Sequence, residues 1–388
     1  MASIPFPAPY STLSDDYVRF ARELRDEGVR FADMRNAASL ETQFSGGMGG
    51  LAPAPAQLKK TLLRLEGTDP IARVPVLPAF PGESRITGFL DGSQRTVAAW
   101  RIGLVPVIAT IAAAAILTRN DEGEVRIATD RRGRSTLQLR HRWLIPHHSA
   151  DPAVDRLIGR IEAAGGAGSV IDPVVRHATV EGRLDQDRYQ AYLNDYGRMV
   201  EVAYDAARTV RAQLELELLD RWPEIDPMGA GWLIVDGRRT LNVPRTLGVV
   251  KRLSSAHLAG AEAVQVYDLP AAHRTSAFVP EGRSRGQSFA FRGISNHASG
   301  GDTPVMWYLR MHDHAGLDAY HGLIRVEAPA DVDDSREITE YSSWLLAERT
   351  PRATGDARWA SLLYPIHLLE GMLKRQIAAE TRAWPNAT

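Results

Sequence analysis

The sequence predicts an α/β protein, a mixed sheet flanked by helices, and three observations carry that expectation. Between Arg85 and Leu144, apolar runs follow one another with turn residues between them, the pattern of an antiparallel meander. A helical stretch from about Leu184 to Asp220 comes next. It leads into residues 232–235, a short run apolar throughout and therefore a central strand buried on both faces.

In chain order, residues 14–27 open on Ser14-Asp15-Asp16, a cap with acids in the first turn, and predict a helix. Residues 45–50 are glycine-rich, 55–65 predict a second helix, and prolines punctuate 70–81 as a linker. Residues 1–80 are expected to form a mainly helical N-terminal appendage, and 81–388 the principal domain. Strands are expected over 86–90, ending at Asp91, within 105–117, and over 125–129 and 137–144. Trp222-Pro223 stops the long helix, 232–235 leads to Asp236, and 246–250 is a further strand. A short helix is expected around 259–263, strands over 288–292, 305–311 and 323–327, and helices over 337–348 and 364–381.

With 388 residues, 44% hydrophobic and 24% charged, the chain can bury one large core or a core with a smaller appendage. It has no cysteine, which excludes disulfides, thiolate metal sites and a cysteine nucleophile and fits a reducing cytoplasm. Residues 1–10 show no basic segment followed by an apolar core, so no signal peptide is expected. The most apolar run, 104–117, is shorter than the roughly 20 residues of a membrane span and contains Pro106 and Thr110; no membrane association is expected.

A net charge of −1 excludes tight binding of nucleic acid by overall charge, so any such contact must use local patches. Arg131, Arg132 and Arg134, and Arg140 with Arg142, read as solvated faces. Arg238, Arg239 and Arg245 with Lys251 and Arg252, and Arg283 with Arg285, are the other groups. Lysine occurs only at Lys59, Lys60, Lys251 and Lys374, which singles out Lys251.

Two boxes carry the chemistry: Phe89-Leu90-Asp91-Gly92-Ser93-Gln94-Arg95-Thr96 and Leu233-Ile234-Val235-Asp236-Gly237-Arg238-Arg239-Thr240. Asp-Gly alone is a hairpin-turn signal. Two similar boxes point further, because a carboxylate at a strand end rides on rigid backbone, the glycine admits a metal or phosphate, and the Arg and Thr beyond reach phosphate oxygens. Metal-dependent nucleases place acids in this way, and they need a third acid. On the helix before Asp236, Ala203, Ala206, Ala207, Val210, Leu214 and Leu218 form an apolar stripe. Glu217 falls within it and Glu215 at its edge, so Glu217 is the first candidate and Glu215 the fallback. The alternative for Glu217 is an ion pair with a buried arginine.

Other motifs read as ordinary. His147-His148 and His312-Asp313-His314 lack a defined third ligand and read as solvated side chains. There is no HExxH motif and no GxxxxGK[ST] loop, and the GxSxG match at 282–286 follows Pro280-Glu281 rather than a buried strand.

Taken in order, these residues resemble the NurA nuclease family, the DNA end-processing partners of HerA-type ATPases. The resemblance runs from about Arg85 to the end and rests on Asp91-Gly92-Ser93, the helix glutamate ahead of Asp236-Gly237, Gly248-Val249-Val250-Lys251, Trp307-Tyr308-Leu309-Arg310, Ile324-Arg325-Val326-Glu327 and the Tyr364-Pro365 helix. It implies an RNase H-like core, a two-fold homodimer enclosing a DNA channel, Mn2+ or Mg2+ at the acids, and 5′-to-3′ exonuclease and single-strand endonuclease activity. A HerA-type hexameric ATPase would be the partner, in DNA repair or antiviral defence. By position, Asp91 and Asp236 match the strand-end metal ligands, and Glu217 or Glu215 the helix glutamate.

Two departures matter: Arg238-Arg239 follows the second Asp-Gly, and Met372 stands near where the family often carries a histidine. His367, one turn earlier, is the expected general acid or phosphate contact, with Glu370 as an alternative metal-side group. Arg95, Arg239, Lys251 and Arg252 are expected to hold the DNA backbone. A rival reading is a non-catalytic dimeric adaptor that guides DNA for such an ATPase. A paired-carboxylate glycosidase is disfavoured, because the eight tryptophans are scattered rather than gathered beside two acids.

Overall fold

A computed structural model of the chain describes residues 12–33, 62–64, 72–80, 82–120, 122–147, 151–165, 168–239, 241–251, 258, 260–280, 304–351, 359–382 and 384. The chain begins with α1 (Thr12–Asp26), β1 (Phe31–Asp33), β2 (Leu62–Arg64) and β3 (Arg73–Pro75). The meander follows as β4 (Ile86–Ile102), β5 (Val105–Arg119), β6 (Val125–Ile127) and β7 (Gln138–Leu144). Then come α2 (Pro152–Gly165), β8 (Val170–Ile171), α3 (Val175–Ala178), β9 (Thr179–Val180), β10 (Arg183–Leu184), α4 (Gln186–Leu193), α5 (Tyr196–Asp220) and α6 (Trp222–Ile225). The last part holds β11 (Trp232–Asp236), β12 (Thr246–Val250), α7 (Ala261–Tyr267), β13 (His273–Thr275), β14 (Phe278–Pro280), β15 (Val305–Arg310), β16 (Leu323–Ala328), α8 (Ser335–Ala347) and α9 (Tyr364–Glu380).

The expected mixed sheet is present. Among the described residues it has 14 strands, with a central path β2-β14-β15-β16-β12-β11-β4-β5-β7-β8. β4, β5 and β7 pair antiparallel, as the run of successive apolar segments predicts. β11 lies parallel to both β4 and β12, so it is flanked on both edges and its apolar Leu233, Ile234 and Val235 are buried. Four consecutive alanines in β5, Ala112 to Ala115, present small side chains to both faces. Long helices settle there: α5 buries Val210, Leu214 and Leu218 with Leu90, Ala112 and Ala114, while on the other face Ile366, Leu369 and Leu373 of α9 share a cluster with Phe89, Ala113 and Ala115.

Several boundaries differ from expectation. β4 does not end at Asp91 but runs on to Ile102, with Asp91 opposite Ala115; the hairpin turns at Gly103, at φ +57°. The Asp-Gly turn signal is overridden because Val97, Ala98, Ala99 and Trp100 bury both faces of a continuing strand. The expected helix over 55–65 is overturned where it can be seen, since 62–64 form β2; its earlier residues, like 45–50, lie outside the described residues. The proline-punctuated linker contains β3. β1, β2 and β3 pair with β4, β14 and β13, so these described strands belong to the main sheet; most of the rest of the expected helical appendage, 1–80, lies outside the described residues. α1 is held by Tyr17 stacked on Trp100, ring centroids 5.0 Å apart.

The helix expected from 184 to 220 is broken at Asn194, because Asp195 caps a new helix by accepting from Arg198 N at 3.0 Å. α2 escaped the sequence reading. Its signal was Asp151-Pro152 ahead of Val154, Leu157 and Ile161 at helical spacing, and Asp151 accepts from Ala153 N. The expected strand over 288–292, together with Arg283, Arg285 and the match at 282–286, lies outside the described residues. No described helix is long and apolar enough to cross a membrane.

Candidate functional site: acids beside a charged groove

Strand alternation brings the two boxes together. Leu90 pairs with Val235 across the β4–β11 edge, so Asp91 and Asp236, the next residue on each strand, stand side by side. Phe89 and Ile234, two residues earlier, belong to the cluster on the α9 face, and the two aspartates continue that face. Gly237 turns the chain away immediately, at φ +120°, a conformation that residues with a side chain rarely adopt.

Glu215 approaches from the opposite face on α5. Its carboxylate fills the place where a side chain at position 92 would stand: a Cβ on Gly92 would lie 2.2 Å from Glu215 Oε1. The glycine of the first box therefore serves the third acid. From α9, Glu370 adds a fourth charge to the field at Asp91 and is also paired with Lys374 at 2.8 Å.

The electrostatics are those of crowded, desolvated acids. Burial raises the Asp91 carboxyl well above the usual carboxylate range, Asp236, Glu215 and Glu370 raise it further, and Lys251 opposes them. Burial and Asp236 raise Glu215 against the pull of Arg211. Arg211, one turn back on α5, sets its Nε 3.4 Å from Glu215 Oε1. Burial alone would lower its pKa, yet Glu215, Asp91 and Asp236 together hold it above the ordinary value. Lys251, just past β12, places Nζ 2.9 Å from both carboxylate oxygens of Asp236. Among the described residues no three His, Cys, Asp or Glu side chains stand close enough together to hold a metal ion as they are.

The third acid is thus Glu215, and Glu217 is corrected. Glu217 points away and forms a two-pronged pair with Arg140 at 2.8 and 3.0 Å, its side chain 49% exposed. The stripe was misplaced because α5 also buries Leu219, which rotates the buried face toward Glu215. An exposed pair of this kind adds little stability, so Glu217→Ala is expected to change unfolding free energy by no more than about 1 kcal/mol in urea titrations.

The expected DNA contacts also move. Arg239 is buried as a loop clamp, its guanidinium donating to Thr246 Oγ1, Asn242 Oδ1 and Val243 O, and its backbone N to Glu327 Oε2. Glu327 in turn pairs with buried Arg325 at 2.8 Å. Arg95 follows Asp91 on the α9 face and donates to Thr381 Oγ1 at 2.7 Å, beyond the end of α9. Lys251 is occupied by Asp236. Arg252 lies outside the described residues. His367 keeps its Nδ1 buried without a hydrogen-bond partner, and the α9 group whose charge acts on Asp91 is Glu370 instead. Arg310 is core, its guanidinium donating to the carbonyls of Tyr267, Leu269, Ala319 and His321.

What sequence reading missed is the wall of the site. A groove of about 850 Å³ runs along α5, with Glu215 and Asp236 among its lining and Arg176, Arg208, Arg211 and Arg238 around them. Arg176 and Arg208 sit on different helices far apart in sequence, so no local pattern announces them.

An oxygen-only donor set of Asp91, Glu215 and Asp236 suits a hard divalent cation. Gly92 leaves space for the Glu215 carboxylate, while Lys251 and Arg211 supply the positive charge now beside Asp236 and Glu215, so an ion there would join or displace those two partners. The sequence matches no protein-family model and no curated protein.

Proposed function

We propose that the chain is a divalent-metal-dependent deoxyribonuclease of the NurA type, with Asp91, Glu215 and Asp236 as its acidic centre. One observation carries the reading: Asp91 and Asp236 stand side by side on adjacent strands, and Glu215 of the helix crossing the opposite face reaches Gly92, with Glu215 and Asp236 lining a groove that four arginines also line. Burying like charges together is costly unless a cation joins them, and arginine walls suit a phosphodiester. The topology supports the same reading, since a three-strand antiparallel meander followed through a long helix by parallel β11 and β12 on the far side of β4 is the layout of an RNase H-like core.

The chemistry that bound Mn2+ or Mg2+ supplies is Lewis-acid activation of phosphodiester hydrolysis. Asp91 and Asp236 would hold the ion from rigid strand backbone and Glu215 from α5. Arg211 holds the Glu215 carboxylate in place, and Lys251 fixes Asp236 and leaves a positive charge beside it. Glu370 of α9 adds its charge to the field at Asp91 from the other face of the sheet. A two-fold dimer and a HerA-type hexameric ATPase remain part of the proposal, as a means of feeding DNA to a chain of nearly zero net charge.

Purified protein with Mn2+ is expected to degrade linear single-stranded DNA, and a chelator to stop it. Glu215→Gln is expected to lose this activity while Glu217→Ala keeps it. The opposite ranking of those two variants, or cleavage that persists in both Asp236→Asn and Glu215→Gln, would reject the acidic centre. If the wild type binds DNA and cleaves none with any divalent ion, the adaptor reading replaces it.

A further inference from the structure

We infer that Lys251 and Arg211 are resident cations of the acidic centre, standing where a second metal ion would otherwise be needed, so that the centre takes a single divalent ion per chain, at Asp91. The inference rests on the nuclease reading for the presence of an ion, but on its own observations for the number of ions.

The acids are not in equivalent states. Lys251 Nζ lies 2.9 Å from each carboxylate oxygen of Asp236, and its side chain is only 7% exposed. Its place is set by backbone: Asp236 is in register with Val249 on the parallel neighbour β12, so Lys251, two residues on, leaves the sheet on the same face. Arg211 reaches Glu215 from one turn back on α5, Nε to Oε1 at 3.4 Å. Glu370 has Lys374 at 2.8 Å, one turn on along α9. Asp91 is buried, accepts the Gly92 N–H, and makes no ion pair among the described residues.

Counting charges turns this difference into a stoichiometry. Metal binding requires ionised carboxylates. Asp91, Asp236, Glu215 and Glu370 then bring four negative charges against three positive ones on Lys251, Arg211 and Lys374, which leaves one negative charge unmet, at Asp91. A single divalent ion takes that balance to +1, which one phosphodiester charge cancels; two ions would take it to +3. Paired ions also share carboxylates across roughly 3.5–4 Å, and the oxygens to be shared on Asp236 and Glu215 are already held by Lys251 and Arg211. Driving a buried ammonium off its carboxylate is costly, because the charge leaves its partner without reaching water.

The test is Mn2+ binding by the full-length protein without DNA, followed by isothermal titration and by electron paramagnetic resonance. Wild type is expected to bind one Mn2+ per chain and to show the resolved hyperfine pattern of an isolated ion. Lys251→Met removes the charge and keeps most of the side chain, and should bind Mn2+ at least about fivefold more tightly, because a cation a few ångströms away no longer repels the ion. Arg211→Met should shift in the same direction. Lys251→Glu, which turns a resident cation into a further carboxylate, is expected to bind two ions whose spectra show mutual coupling. Asp91→Asn should lose the site while Glu217→Ala keeps it. Thermal melts with and without Mn2+ report which variants are folded, and if Lys251→Glu does not fold, the affinities of Lys251→Met and Arg211→Met decide. Two coupled ions in wild type overturn the inference and leave the metal-dependent reading standing. Unchanged affinity in Lys251→Met, or a single ion in folded Lys251→Glu, removes Lys251 from this role. A wild type that binds no Mn2+ overturns the metal-dependent reading together with the inference.

Discussion

Asp91→Asn is expected to abolish Mn2+-dependent DNA cleavage, by at least about a hundredfold, while raising the stability of the metal-free protein. The first half follows from removing a ligand, since even groups one shell further from a metal are worth about 10- to 100-fold. The second follows from the repulsion at the site. Burial, Asp236, Glu215 and Glu370 all raise the Asp91 carboxyl, so its charge opposes folding. At low pH the folded and unfolded chains are both protonated there, and the group contributes nothing. As pH rises through the ordinary carboxylate range the unfolded chain ionises first, and stability falls until pH passes the raised value in the folded state; the loss persists at neutral pH. Asn removes that loss and keeps the amide-accepting oxygen, because Asp91 Oδ1 takes the Gly92 N–H at 2.8 Å. Melting temperatures between pH 4 and 8 should therefore decline less in Asp91→Asn than in wild type, with a lead of about 2 °C or more at pH 7. A variant that melts lower at every pH would show that the Asp91 charge is compensated in the apo protein, and one that cleaves normally would remove Asp91 from the centre.

The two aspartates were legible in sequence because strand-borne acids carry a local sign: an apolar run, then Asp-Gly. Their adjacency follows from β11 adding parallel to β4, which a buried apolar run after a long helix foretells. Glu215 was harder, since choosing between two glutamates on one helix depends on a few tens of degrees of rotation, and one further buried residue, Leu219, decides it. Arg239 misled for another reason. An arginine after a strand end looks like a ligand contact, but loop carbonyls and Thr246 satisfy its donors first. Three-residue strands such as β1, β2 and β3 carry no readable period, and their pairing is set by where long strands leave edges to be covered. Arg176 and Arg208 became neighbours only through the packing of α3 and α5, information that no spacing along the chain contains.

Gly92→Ala separates the site from the fold most sharply. In a strand interior, alanine for glycine ordinarily gains about 0.5–1 kcal/mol. Here the new methyl would lie 2.2 Å from Glu215 Oε1 and 2.9 Å from its Cδ, so something must move. What moves is the far end of a flexible side chain, and the swing costs little stability while it drags the third acid off the centre. Gly92→Ala is thus expected to melt within a degree or two of wild type, about 1 kcal/mol at most, yet lose about 10- to 100-fold in Mn2+-dependent cleavage. Gly88→Ala, on the same strand, makes the contrast. Its methyl would meet the rigid indole of Trp222 at 2.6 Å and Leu233 Cδ1 at 2.9 Å, away from the acids, so it should lose about 1–3 kcal/mol of stability and keep its chemistry once folded. A double variant tests the link directly: Glu215→Asp shortens the acid by one methylene and should lose less activity on the Gly92→Ala background than on the wild type, a coupling that only direct contact between positions 92 and 215 would produce. Strict additivity in the double variant, or full activity in Gly92→Ala, would dissociate Glu215 from the acidic centre.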